Sequence, residues 1–117
     1  MTSLYERKES PLFVKTRDYI AWLFKHTAKF PKQYRHTLTE RLESGMLAFH
    51  RCLGEAALLK SADALGRAEL ELWQTRQLLR LAHEMDIFPA RLLEYSAGSL
   101  AEIGRLLGAW KRKGAKA

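Results

Sequence analysis

The chain carries few residues that could do covalent chemistry, and their spacing argues against a catalytic centre. Its histidines are His26, His36, His50 and His83, and no two stand three or four apart. No single helix can therefore offer the paired imidazoles of an intrahelical metal site. A carboxylate-bridged dimetal centre in a bundle would need Glu-x-x-His pairs, and no Glu or Asp stands three before any histidine. HExxH, CxxC and EF-hand spacings do not occur, nor does a Gly-rich phosphate loop or a nucleophile elbow. The lone cysteine, Cys52, sits in an apolar helical stretch and reads as buried filler. Expected on this reading are no catalytic residues, no metal and no cofactor.

The basic residues say more. Arg76 and Arg80 are four apart, so a helix sets them on one face. Arg105 precedes a closing Lys111-Arg112-Lys113 run, and Lys25, Lys29, Lys32 and Arg35 gather around the first helix end. Cations at helix C-termini are favoured by the macrodipole, which accounts for Lys25, Lys29 and Lys111. For Arg76 and Arg80, contact with phosphates and a merely solvated face fit the spacing equally well. The chain as a whole has 20 Lys+Arg against 13 Asp+Glu, a net charge of +7 over 117 residues. Such a surplus bears on partners rather than fold: nucleic acid, an acidic protein face or an anionic surface.

The elements that must position these residues are helical. Ser10-Pro11 supplies an N-cap followed by proline in the first turn, and a helix is expected over about 11–28, with Leu12, Thr16, Tyr19 and Leu23 inward. Phe30-Pro31 ends it and starts a second, about 31–60, with a stripe of Tyr34, Leu38, Leu42, Met46, Phe49 and Leu53. Gly45 in that stripe suggests a close approach of two helices. A third helix, about 63–85, has Leu65, Ala68, Leu72, Thr75, Leu79 and Ala82 in alternating steps of three and four. A fourth, about 89–110, repeats the pattern through Leu93, Ser96, Leu100, Ile103, Leu107 and Trp110. Residues 1–9 read as a polar leader and 113–117 as a basic tail, leaving 10–112 as one domain. Short links make neighbours antiparallel. The fold class is all-α, an up-down-up-down antiparallel four-helix bundle.

Apolar positions beyond what one bundle core needs (Leu78, Leu81, Leu92, Leu106) can widen the core or pair with another subunit, and they favour an oligomer. No run approaches the ~20 apolar residues of a membrane span, the start MTSLYERKES is too charged for a signal peptide, and a single cysteine suits a reducing compartment. The expectation is a cytoplasmic protein that makes no use of a membrane.

Several segments together resemble the Avd family, the accessory variability determinants of diversity-generating retroelements. They are the K-T-x-D-x-x-x-W-L pattern of Lys15, Thr16, Asp18, Trp22 and Leu23; the H-T-x-K-F-P run from His26 to Pro31; Arg35, Leu38, Arg41, Leu42 and Glu43; LRLAHEMDIF at 79–88; and AEIGRLLGAWKR at 101–112. The looser relatives encoded by intervening sequences of ribosomal RNA genes share the fold and a form of the H-T-x-K-F-P run. They are the alternative, with a structural or RNA-binding role. The closing segment favours Avd.

The resemblance implies a non-enzymatic four-helix bundle that assembles as a pentamer. It would bind the retroelement's reverse transcriptase with template RNA and cDNA, supporting adenine-mutagenic cDNA synthesis and retrohoming. It also implies that Arg76, Arg80, Arg105, Arg112 and Lys111 serve nucleic-acid or polymerase binding, and that Trp22 and Trp110 serve packing or a subunit interface.

Overall fold

A computed structural model describes residues 10–114, which form an elongated all-helical body of 47 × 28 × 24 Å with no strand. Helix α1 spans Pro11–Thr27, α2 Glu40–Leu59, α3 Ala62–Glu84 and α4 Ala90–Lys113. The first start signal works as its residue types dictate. The Ser10 hydroxyl accepts from the Leu12 amide at 3.2 Å, and Pro11 occupies a position whose missing N–H has no intrahelical partner to lose. Ser61 caps α3 in the same way, accepting from the Ala64 amide.

Side-chain contacts show how the helices run. Along α1 and α4, Phe13 meets Trp110, Lys15 meets Glu102, and Tyr19 meets Ser96. Rising along one helix means falling along the other, so the pair is antiparallel. Glu69–Lys111 and Arg76–Leu100 give the same sense for α3 and α4. Glu55–Arg67, with Gly45 beside Glu71 and Thr75, gives it for α2 and α3. This is the pattern that an up-and-down bundle requires.

The core follows the sequence stripes. Leu12, Thr16, Tyr19 and Leu23 of α1 are buried, as are Leu42, Met46, Phe49, Leu53 and Ala56 of α2. All six heptad positions of α3 are buried, together with Ser96, Leu100, Ile103 and Leu107 of α4. Each fully buried leucine contributes about 2 kcal/mol of apolar burial. Two loop residues complete the interior. Phe30 and Phe88 meet edge to face at 6.1 Å and close the end where the α1–α2 and α3–α4 connections lie together. The α3–α4 loop is fixed by a Schellman-type turn: the Ile87 amide reaches the Ala82 carbonyl and the Asp86 amide reaches that of His83, with Asp86 left-handed at φ 62°. The His83 ring donates from Nδ1 to the Phe88 carbonyl at 2.9 Å, since a carbonyl can only accept.

Three sequence expectations are corrected. The second helix is not continuous over 31–60: Lys32–Tyr34 is a 3₁₀ turn and Arg35–Thr39 a π-helical turn, and regular α-helix begins only at Glu40. Two β-branched threonines sit in the π turn, and the Thr37 hydroxyl donates to the Tyr34 carbonyl, competing with the backbone ladder. Gly45 is not a tight crossing. A Cβ there would lie 3.6 Å from the Glu71 carboxylate and 3.7 Å from the Thr75 hydroxyl, which is ordinary contact. The fourth helix continues through Arg112 and Lys113, past the expected end near 110 and into the expected tail. The Lys111–Glu69 bridge at 2.6 Å ties this last turn to α3, and three cations suit a helix C-terminus. The expected leader at 1–9 and the tail residues 115–117 lie outside the described residues.

Candidate nucleic-acid interface

The arginines of α3 face α4 across a groove of about 500 Å3 lined by Arg76, Gln77, Arg80, Glu94 and Ala97, with Leu79, Leu93 and Leu100 at its floor. The i,i+4 spacing brings Arg76 and Arg80 to this groove together, but they sit in it differently. Arg76 bends across to α4, where Nη2 donates to the Leu100 carbonyl at 3.0 Å. The crossing passes over Gly104, whose missing side chain leaves the room. A Cβ there would stand 3.0 Å from that same nitrogen. Arg76 is therefore partly a fastener between α3 and α4. Arg80 is exposed and pairs with no carboxylate among the described residues. It is the freer cation of the two.

The α4 cations divide similarly. Arg105 pairs with Glu102 at 2.7 Å, and Lys15 approaches the same carboxylate at 3.8 Å. The Arg105 hydrogen bond, chiefly, holds the Glu102 carboxyl below its usual range. Lys111 is occupied by Glu69. Arg112 is exposed and lies alongside Gly108. Arg105 and Arg112, seven apart, share one line of α4, whereas Lys111 turns toward α3. The five predicted basic residues thus form a groove pair, an α4 row of Arg105 and Arg112, and Lys111 apart on the α3 side, rather than one patch.

Both predicted tryptophans pack inside the chain and are half-buried. Trp110 sits 6.3 Å from Phe13. Trp22 stands among rings: His26 at 4.6 Å, Tyr95 at 4.8 Å, Tyr19 at 5.7 Å and Phe88 at 6.3 Å. Tyr95 lies outermost and is 57% exposed. Sequence reading does not single out Tyr95, and it names His26 only as an unpaired histidine and as the start of the H-T-x-K-F-P run. The signal was present in the i,i+4 step from Trp22 to His26, but nothing in the sequence pairs either with a residue on α4.

Two hydroxyl or thiol groups, on Tyr19 and Cys52, are buried, and burial disfavours their ionised forms. Burial raises the Cys52 thiol pKa, with the Arg67 charge only partly opposing. The Tyr19 hydroxyl is pushed far above its ordinary range by burial, against the smaller opposing effects of its Ser96 hydrogen bond and the Arg76 charge. Among the described residues no three metal-ligating side chains converge, and no helix is long and apolar enough to cross a membrane.

No curated protein matches the chain. The bAvd-like family profile does match, over residues 12–114, a span that takes in all four helices and every basic residue of the groove and the α4 row. The chain is a member of the bAvd-like family.

Proposed function

We propose that this protein is a non-enzymatic accessory factor of a diversity-generating retroelement. It binds the element's reverse transcriptase together with template RNA and cDNA, in support of adenine-mutagenic cDNA synthesis and retrohoming in the cytoplasm. The observation that carries this reading is the family match across the whole bundle. The geometry supports it: the cations left unpaired, Arg80 and Arg112, lie on exposed helix surface where phosphates have access. The protein works as a homo-oligomer, a pentamer by the family's pattern. Leu70, Trp73 and Leu81 of α3 lie 62%, 52% and 44% exposed and offer apolar surface for subunit contact.

The test is binding of purified protein to labelled template RNA and to the reverse transcriptase across a salt series. Neutralising a few phosphates gives a log–log slope of about −2 to −3 for RNA. Charge reversal at Arg80 and Arg112 should weaken binding and flatten the slope while leaving helicity intact. Salt-independent affinity, or no binding to either partner, would overturn the proposal.

A further inference from the structure

The ring cluster on the α1–α4 seam is not explained by core packing alone. Trp22 packs against buried Tyr19 and Phe88, at 5.7 and 6.3 Å. His26 and Tyr95 also meet it, at 4.6 and 4.8 Å, each ring tilted against it. Tyr95 keeps more than half of its surface in solvent while part of its ring rests on Trp22 at 4.8 Å.

The surroundings are polarised. Desolvation first, and then the nearby charges of Lys29, Arg91 and Lys25, oppose protonation of His26. At the other end of the seam a shallow cleft of about 180 Å3 opens beside Tyr95, walled by Lys15, Asp18, Ser99 and Glu102. Glu102 is already engaged by Arg105 and Lys15, so much of its charge is neutralised locally. Glu94, next to Tyr95 in sequence, lines the opposite groove toward α3.

An exposed ring backed by two half-buried ones, with cations beside one end and hydrogen-bonding side chains beside the other, offers what single-stranded nucleic acid uses: a π-face for a base and positive charge for the backbone. We propose that the Tyr95–Trp22–His26 ring cluster is a docking platform for the bases of single-stranded nucleic acid, with the exposed face of Tyr95 taking a base and Lys25, Lys29 and Arg91 holding the phosphates. This rests on the nucleic-acid reading above and deepens it by naming a second surface, on the far side of α4 from the Arg80 groove, since Tyr95 stands about 140° to 160° round the helix from Ala90 and Ala97. A duplex, whose bases are stacked on one another, gains only the cations.

The test compares binding of a labelled single-stranded RNA, a single-stranded DNA of the same sequence and an RNA hairpin to wild type and to Tyr95→Ala, Tyr95→Phe, Arg91→Gln and Arg80→Glu. Circular dichroism confirms helicity; Tyr95 and Arg91 are exposed, so these variants keep the core. Tyr95→Ala should weaken both single strands about 10-fold or more and the hairpin little. Tyr95→Phe should bind like wild type, and Arg91→Gln should weaken every ligand and flatten the salt slope. Unequal loss between RNA and DNA identifies which strand the platform takes. If Tyr95→Ala binds single strands as wild type does while Arg80→Glu loses affinity, the platform is wrong and the nucleic-acid reading stands. If wild type binds none of the three ligands, both fall together.

Discussion

The Arg76 guanidinium occupies the space that a side chain on Gly104 would fill, donating to the Leu100 carbonyl one helical turn earlier. A charged donor on a half-buried carbonyl contributes about 1.5–3 kcal/mol. Arg76→Ala should therefore cost about 1–2 kcal/mol in urea unfolding, whereas Arg80→Ala, on open surface, should stay within about 0.5 kcal/mol. Equal costs would mean that the α3–α4 fastener carries no stability.

Gly104→Ala tests the same contact from the other side. Alanine gains about 1 kcal/mol of helix propensity, and its methyl displaces the guanidinium from Leu100. The two effects offset, so stability should change by under about 1 kcal/mol. The released Arg76 should steepen the salt dependence of nucleic-acid binding by up to about one phosphate contact, read from the log–log slope.

The Tyr19 and Ser96 hydroxyls meet at 2.7 Å in the interior. Tyr19→Phe leaves the Ser96 hydroxyl buried without its partner and should cost about 1–3 kcal/mol. The double variant Tyr19→Phe/Ser96→Ala should cost less than the sum of its parts. Strict additivity in that cycle would show that the hydrogen bond contributes nothing.

His26 titrates below its ordinary value of 6.5, because of desolvation first and then the charges of Lys29, Arg91 and Lys25. The unfolded chain thus binds the proton more readily than the folded one, and stability should fall as pH drops through the ordinary value. Thermal unfolding between about pH 8 and about pH 5.5 should show this fall. His26→Gln should make it shallower, and an unchanged profile would remove His26 from the account.

Much of the bundle was legible because helical period and burial coincide. Leu65, Ala68, Leu72, Thr75, Leu79 and Ala82 could be read as a stripe, and they are one. Loop residues have no period, so Phe30 and Phe88 could not be read as core although they close one end of it. The Tyr34–Leu38–Leu42 spacing looks the same whether the first turn is α or π, so the wide turn was hidden. The basic residues were legible as types and faces only. That Arg76 reaches a carbonyl on α4, that Glu69 holds Lys111, and that Tyr95 meets Trp22 all depend on which helices are neighbours, and single-helix spacing does not encode that.

Left-handed backbone at non-glycine residues marks two places where stability can be added. Lys60 has φ 56° at the end of α2, and Asp86 has φ 62° after α3. Relief of the steric cost should make Lys60→Gly stabilising by up to about 1 kcal/mol. Asp86→Gly should gain less, since aspartate tolerates this conformation better, and thermal melts of the two variants rank them.

The π turn at Arg35–Thr39 gives the chain slack. It spends one residue more than an α turn over the same stretch. A single-residue deletion within it can be absorbed by rewinding to α-helix, with Leu42 and everything after it kept in register. The same deletion between Met46 and Leu53 would rotate the remainder of α2 by about 100° and turn its apolar stripe out of the core. The entry to α2 is thus the one stretch of this helix where length itself is negotiable.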